Sequence, residues 1–106
     1  MAEQPIRLGV AGLGRGFMLM LPTLARDPRL RLVACADPRP EARDCFTRDF
    51  EGARAYAEVA EMVADPAVQA VYVASPHQFH VEHVRLAAAA GRHILVEKPM
   101  ALRLED

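Results

Sequence analysis

Three short stretches contain residues of the types that bind nucleotides or move protons. The loop of residues 12–16 reads GLGRG, and glycines let backbone N–H groups approach a phosphate closely. Asp37 is a carboxylate that can accept hydrogen bonds from a ribose diol. Lys98 is the only lysine among thirteen basic residues, and burial can lower the pKa of an ammonium until it exchanges a proton with a substrate hydroxyl.

The elements that must position these residues alternate along the chain. Apolar runs predict strands at residues 6–11, 30–37, 53–57, 68–75 and 93–97, and amphipathic segments predict helices at 17–27, 39–50, 58–65 and 76–91. The strands are nearly continuous in apolar residues, which is typical of a parallel sheet covered on both faces. The sequence therefore predicts one α/β domain over residues 1–106, a doubly wound parallel sheet of the Rossmann type.

Prolines and glycines indicate where the helices begin and end. Pro22 lies inside the first helix and predicts a kink or a restart there, because an interior proline costs about 3 kcal/mol. The sequence SPHQ at residues 75–78 fits a capping box with proline in the first helical position. Gly91 is typical of the residue that follows a helix.

The glycine loop departs from the dinucleotide fingerprint G-x-G-x-x-G. The third glycine would fall at position 17, but Phe17 stands there and glycine occurs one residue earlier, at Gly16. Because that glycine normally lets helix and strand pack closely, Phe17 predicts a wider or re-registered packing. The literal pattern G-x-G-x-G also occurs in S-adenosylmethionine-binding methyltransferases, which stay open as an alternative.

Asp37 lies at the end of the second predicted strand, where its carboxylate favours NAD because it would repel a 2′-phosphate. Arg39, two residues later, could bind such a phosphate, so NADP stays open. A helix-capping role for Asp37 is the alternative that needs no cofactor.

Three histidines recur at every third position of the last helix, at His77, His80 and His83. Each step turns the helix by about 300°, so the three do not share one narrow face, and no metal site is predicted. His77 and His80 lie at the helix start, beside the carboxyl end of the fourth strand, where such sheets bind ligands. His83 is expected on the surface or in packing.

Composition excludes several other classes of protein. With 52% apolar residues, 25% charged residues and a net charge of −1, the chain has no basic excess for nucleic acid. The longest apolar stretch is too short for a membrane span, and no signal peptide is visible. Cys35 and Cys45 lack a paired spacing, and Cys35 is expected to be a buried thiol. A cytoplasmic location is therefore predicted.

Three segments resemble the N-terminal domain of the Gfo/Idh/MocA family of nicotinamide-dependent oxidoreductases. They are GVAGLGRG after the first strand, ACADPRPE after the second, and YVASPHQFHVEHVRLAAAAGRHILVEKPMAL across the last helix and strand. The resemblance runs from about residue 5 to residue 106, and EKP in this setting is the family's hallmark. Within the family, the chain looks most like the branch of dihydroxyphthalate or phthalate-dihydrodiol dehydrogenases.

The resemblance implies a role for each matching residue. The glycine loop would hold the pyrophosphate, Asp37 the adenosine ribose, and Glu97 the nicotinamide ribose, while Lys98 would lie beside nicotinamide and substrate as the catalytic residue. His77 stands where relatives commonly have asparagine. The full set expected to bind cofactor is Gly12, Gly14, Arg15, Gly16, Phe17, Asp37, Arg39, Ser75, Pro76, His77, His80, Glu97, Lys98 and Pro99.

The resemblance also implies a hydride transfer between NAD, or NADP, and a small-molecule polyol, sugar or cyclic diol. In the family, a second α/β domain carries the substrate pocket and most of the dimer interface. We expect this chain to be truncated before that domain, so that it binds cofactor but is catalytically incomplete, and the full-length protein to be a homo-oligomer. A stand-alone dinucleotide-binding or redox-sensing module stays open as the alternative.

Overall fold

The computed structural model describes residues 5–74 and 77–96, and shows five strands alternating with four helices as predicted. In chain order they are β1 (Ile6–Ala11), α1 (Arg15–Arg26), β2 (Leu30–Ala36), α2 (Pro40–Asp49), β3 (Arg54–Tyr56), α3 (Val59–Val63), β4 (Ala70–Val73), α4 (His77–Ala89) and β5 (His93–Val96). Gly91 follows α4 with a φ of 78°, as its predicted position requires. Within the described ranges no helix is long and apolar enough to cross a membrane.

The strands form one parallel sheet in the order β3-β2-β1-β4-β5, which confirms the doubly wound fold. β1 is the central strand. β2 and β3 follow on one side of it, and the chain then crosses over to β4 and β5 on the other side. In such sheets ligands bind beyond the carboxyl ends of the strands, where the strand order reverses. Here that point lies between β1 and β4.

Alternate strand residues face opposite layers of helices. Leu8, Val10 and Tyr72 belong to the cluster that contains the apolar side chains of α1 and α2. Val71 and Val73 belong to the cluster that contains those of α3 and α4. Because strand side chains alternate between the two faces of a sheet, one apolar strand serves both cores.

Helix α1 runs without a break through Pro22, so the predicted restart is wrong. Proline removes one donor from the helix, but neighbouring side chains still anchor both halves, since Phe17 and Leu24 are buried in the same core. Phe17 is 3% exposed, and its ring centroid lies 6.0 Å from that of Phe46 on α2. An aromatic ring therefore occupies the position where the fingerprint has its third glycine.

Cys35 on β2 is fully buried, as expected from the sequence. Burial raises the pKa of its thiol to about 12, so the side chain is an uncharged, unreactive part of the core at neutral pH. Cys45 on α2 is exposed, and neither thiol is part of a disulfide.

Gly9 on β1 lies directly against α3. A Cβ at Gly9 would be 2.9 Å from the Sδ of Met62 and 3.2 Å from Cγ1 of Val68. Both neighbours are fully buried in a closely packed interior, so the end of the Met62 side chain would have to shift to admit the methyl. The absence of a side chain at Gly9 therefore allows α3 to pack closely on the central strand.

We expect Gly9→Ala to lower the free energy of unfolding by about 1–3 kcal/mol, because the added methyl overpacks a closed core. The control is the same substitution in a Met62→Val background, which removes the Sδ and Cε atoms that would crowd the new methyl, so that Gly9→Ala should cost less there. Urea unfolding followed by circular dichroism measures both variants. Equal losses in the two would contradict the packing explanation.

Candidate functional site

The glycine loop leaves β1 by a sharp turn at the carboxyl edge of the sheet. Gly12 has a φ of 95°, a conformation that side chains disfavour, and its N–H donates to the carbonyl of Ala36 at 2.9 Å. This bond joins the loop to the end of β2. The ends of β1 and β2 therefore lie side by side at the same edge of the sheet.

The loop leads directly into α1, whose N-terminus is open to a ligand. Gly14 is the N-cap residue, no side chain caps the helix, and its first turn contains no acidic residue. The first N–H groups of a helix have no partner within it, and the helix dipole adds partial positive charge. Because a Cβ at Gly14 would meet only open space, an anion can approach this backbone closely.

Asp37 follows β2 and connects that strand to the glycine loop. Its side chain is 5% exposed, and Oδ2 accepts a hydrogen bond of 2.8 Å from the backbone N–H of Leu13. Oδ1 accepts one of 2.9 Å from the backbone N–H of Arg39. The carboxylate is thus held in a defined position beside the loop.

The Arg39 guanidinium folds back onto the same carboxylate. Nε donates to Oδ1 of Asp37 at 2.9 Å and Nη2 donates to Oδ2 at 3.0 Å, while half of the Arg39 side chain stays exposed. Burial alone would raise the pKa of Asp37, but the hydrogen bonds from Arg39 and Leu13 outweigh it and lower that pKa. Asp37 is therefore ionised at neutral pH, with its oxygens already in use.

Beside this carboxylate lies an open cavity of about 630 Å³, within the size range of ligand sites. Its lining comes from the two strand-end loops, the start of α3 and one face of α4. The lining residues are Gly12, Gly14, Ala36, Asp37, Pro38, Arg39, Ala57, Glu58, Val59, Ala60, Phe79, Glu82, His83 and Leu86.

A partly buried polar contact joins the end of β3 to the segment that follows α3. The Tyr56 hydroxyl donates to Oδ2 of Asp65 at 2.7 Å, and the backbone N–H of Ala67 donates to Oδ1 at 2.9 Å. The Tyr56 bond is the main reason that the pKa of Asp65 lies below its usual value. A capping box between Glu58 and Glu61 fixes the start of α3.

The structure brings four of the predicted site residues together, because Gly12, Gly14, Asp37 and Arg39 all line the cavity. Phe17 lies in the core, so any contact that it makes with a cofactor must come from its backbone. Other predicted residues lie in the first turns of helices: Arg15 and Gly16 in α1, and His77 and His80 in α4. Ser75, Pro76, Glu97, Lys98 and Pro99 lie outside the described residues.

Sequence reasoning missed the face that α4 presents to the cavity. Phe79, Glu82, His83 and Leu86 all line it, at the i, i+3, i+4, i+7 spacing of a single helical face. That spacing was visible in the sequence, although His83 was expected on the surface or in packing. The aromatic pair Phe79–His83 is stacked, with ring centroids 6.0 Å apart and an interplanar angle of 19°.

The fold and this site together define a dinucleotide-binding domain of the Rossmann type. The open helix N-terminus suits a pyrophosphate, and the carboxylate at the end of β2 suits a ribose diol. The profile described as the oxidoreductase family with an NAD-binding Rossmann fold matches residues 6–106. The chain belongs to this family, Gfo/Idh/MocA, as the sequence resemblance indicated.

The chain is similar to enzymes of defined activity. It is 48% identical over 101 residues to 1-carboxy-3-chloro-3,4-dihydroxycyclohexa-1,5-diene dehydrogenase of Comamonas testosteroni, covering 95% of this chain and 25% of that protein. It superimposes with a TM-score of 0.83 and 27% identity on scyllo-inositol dehydrogenase of Lactobacillus casei with bound NAD(H) and scyllo-inositol, covering 91% of this chain and 28% of the other.

A third similar protein is a 3-ketoreductase of Actinomadura kijaniata in complex with NADP and TDP-benzene. The TM-score is 0.82 and the identity 34%, over 91% of this chain and 30% of that one. The chain therefore spans between a quarter and a third of the length of these proteins. Structures of this fold hold NAD(H) in one case and NADP in another.

We expect Arg39→Ala to weaken NADP binding by about 10- to 100-fold, since a charge-assisted hydrogen bond is worth about 1.5–3 kcal/mol. The affinity for NAD should stay the same or increase, because the Asp37 oxygens that now accept hydrogen bonds from the Arg39 side chain become free for a ribose. Titration calorimetry with both cofactors measures the difference, and Arg48→Ala, an exposed charge on α2, is the control. Equal loss for NAD and NADP would contradict this role.

Proposed function

We propose that this chain binds NAD or NADP with the pyrophosphate at the glycine loop and the adenosine ribose at Asp37. The single observation that carries the proposal is the buried Asp37 carboxylate, tied to the loop by the Leu13 N–H at 2.8 Å. That bond keeps the ribose acceptor and the phosphate-binding backbone at a fixed separation. Gly14 and the first turn of α1 supply the backbone donors.

We propose NAD as the preferred cofactor, with NADP accepted. A carboxylate at the end of β2 favours an unmodified ribose diol. Arg39 reduces the preference for NAD over NADP, because its guanidinium already neutralises the carboxylate and can turn towards a 2′-phosphate. The exposure of half its side chain leaves room for that movement.

For the complete enzyme we propose dehydrogenation of a cyclic diol, polyol or sugar. Support comes from the names of two similar proteins, one acting on a dihydroxycyclohexadiene and one on scyllo-inositol. When bound, the nicotinamide ring supplies or accepts the hydride. In this chain Lys98 would hold or move the proton at the reacting oxygen, with Ser75, Pro76, His77 and Glu97 on the nicotinamide side.

A substrate-binding domain beyond this chain stays a prediction, as does the homo-oligomer contact that we expect to lie in it. The cytoplasmic location and the absence of nucleic-acid or membrane partners likewise stay predictions. Sequencing the reading frame beyond Asp106 tests the first of these. A stop codon directly after Asp106 would contradict it and favour a stand-alone binding module.

Calorimetric titration of the purified chain with NAD, NADP and S-adenosylmethionine tests the proposed binding. We expect both dinucleotides to bind, NAD more tightly, and S-adenosylmethionine to give no signal. Asp37→Asn should weaken NAD by at least about 10-fold, since a charge-assisted bond to the ribose becomes a neutral one. Binding of S-adenosylmethionine alone would replace the proposal with a methyltransferase function.

We expect Lys98→Met, in a complete enzyme containing this chain, to reduce kcat by about 10²- to 10⁴-fold, the usual contribution of a positioned proton donor or acceptor. Steady-state kinetics with a polyol substrate measures it. Lys98→Arg is the matched control and should not restore activity, because a guanidinium keeps its proton. Full activity in either variant would contradict the role proposed for Lys98. Substantial turnover by the 106-residue chain alone would instead contradict the prediction that this chain is catalytically incomplete.

A further inference from the structure

The buried carboxylate of Asp65 is not among the residues that line the cavity, and the proposed function gives it no part. We infer that Asp65 is a positioning residue for Asp37 and acts on it through Tyr56. The inference rests on the proposed function, because Asp37 is the residue proposed to bind the adenosine ribose. It extends the site to a charged group that does not touch the cofactor.

The Asp65 side chain is only 2% exposed, and a carboxylate in the interior is costly unless donors surround it. Its Oδ2 accepts the hydrogen bond from the Tyr56 hydroxyl and lies 3.5 Å from Nη1 of Arg54. Because Arg54 is 68% exposed, water weakens its attraction, and the Tyr56 bond is the stronger contact. This bond also raises the pKa of the Tyr56 hydroxyl, as expected for a phenol that donates to an ionised carboxylate.

The segment around Asp65 is bonded to two other parts of the fold. Arg92, in the turn before β5, donates from Nε to the Val63 carbonyl at 2.9 Å and from Nη2 to the Asp65 carbonyl at 3.2 Å. Arg7 on β1 donates from Nε to the Ala67 carbonyl at 2.7 Å. Asp65 therefore lies at a fixed position between the central strand and the turn before β5.

Tyr56 connects this fixed position to the site. It is the last residue of β3, and its backbone carbonyl accepts a hydrogen bond of 3.0 Å from the N–H of Asp37. β3 is a border strand that pairs with β2 at three positions, so its own ladder contributes little to holding its carboxyl end. The side-chain bond to Asp65 supplies a second point of attachment for that end.

Three hydrogen bonds thus run in series from Asp65 to the glycine loop. They join Asp65 to Tyr56, Tyr56 to Asp37, and Asp37 to Leu13, with donor–acceptor distances of 2.7, 3.0 and 2.8 Å. A shift of the β3 end would move the Asp37 N–H and turn its carboxylate relative to a bound ribose. Since hydrogen bonds weaken steeply with poor geometry, such a shift would lower affinity without any change in the groups that touch the cofactor.

NMR titration of the Asp37 carboxyl in the cofactor-free chain tests the positioning directly. Tyr56→Phe removes the donor oxygen but keeps the ring, which packs against the apolar core. We expect the pKa of Asp37 to rise towards its ordinary value in this variant, because its carboxylate becomes less well aligned with the Leu13 N–H and the Arg39 guanidinium. Asp65→Asn should cause the same rise. Loss of the Asp65 charge acting through space would instead lower that pKa, so the sign separates the two explanations.

Calorimetric titration with ADP-ribose, which contains the adenosine half and no nicotinamide, measures the consequence for binding. Tyr56→Phe and Asp65→Asn should each weaken binding by about 3- to 30-fold, the range for residues that act on a site without touching its ligand. The double variant should bind within about 2-fold of the weaker single variant, because both changes remove the same hydrogen bond. Asp49→Asn is the matched control, an exposed carboxylate at the end of α2, and should change neither the affinity nor the pKa of Asp37.

Thermal unfolding of every variant separates lost affinity from lost structure. If Asp65→Asn unfolds, Tyr56→Phe decides, since it removes one oxygen and keeps the packing. An unchanged pKa of Asp37 or an unchanged ADP-ribose affinity in folded Tyr56→Phe would overturn this inference and leave the proposed function standing. Failure of the native chain to bind NAD or ADP-ribose would overturn the proposed function, whereas the titration without cofactor would still show whether Tyr56 positions Asp37.

Discussion

The hydrogen bond from the Leu13 N–H to the Asp37 carboxylate is the contact on which the site depends. It joins the loop after β1 to the loop after β2, so the two strand ends are held in a fixed position relative to each other. The bond from the Gly12 N–H to the Ala36 carbonyl reinforces it from the backbone. A buried carboxylate needs such partners, and these also bring it next to the phosphate-binding turn.

Most of the fold could be predicted from the sequence, because apolar runs indicate strands and amphipathic segments indicate helices, and both patterns are local. The apolar runs of β1, β2 and β4 gave strands wherever they were expected, and the parallel sheet follows from their lack of alternation. Pro22 shows the limit of local signals, since burial of Phe17 and Leu24 outweighs a propensity that predicts a break. Packing between distant segments decides such cases.

The site could be predicted in part, for the same reason. Gly12, Gly14 and Asp37 were predicted from their places directly after β1 and β2, because the fold brings strand ends together. Two features did not follow. The first is the contact of Arg39 with Asp37, which depends on how the Arg39 side chain is placed. The second is the position of Phe79 and His83 at the cavity, which depends on which side of α4 packs on α3.

The three-residue strand β3 has a consequence for the chain's behaviour at high concentration. β3 is one border of the sheet, and exposed borders present unpaired backbone groups on which strands of other molecules can add. A border only three residues long, beginning with the charged Arg54, is a poor template for such addition. Among the elements that the structure describes, the shortest strand thus lies at a border of the sheet and limits the addition of a further strand there.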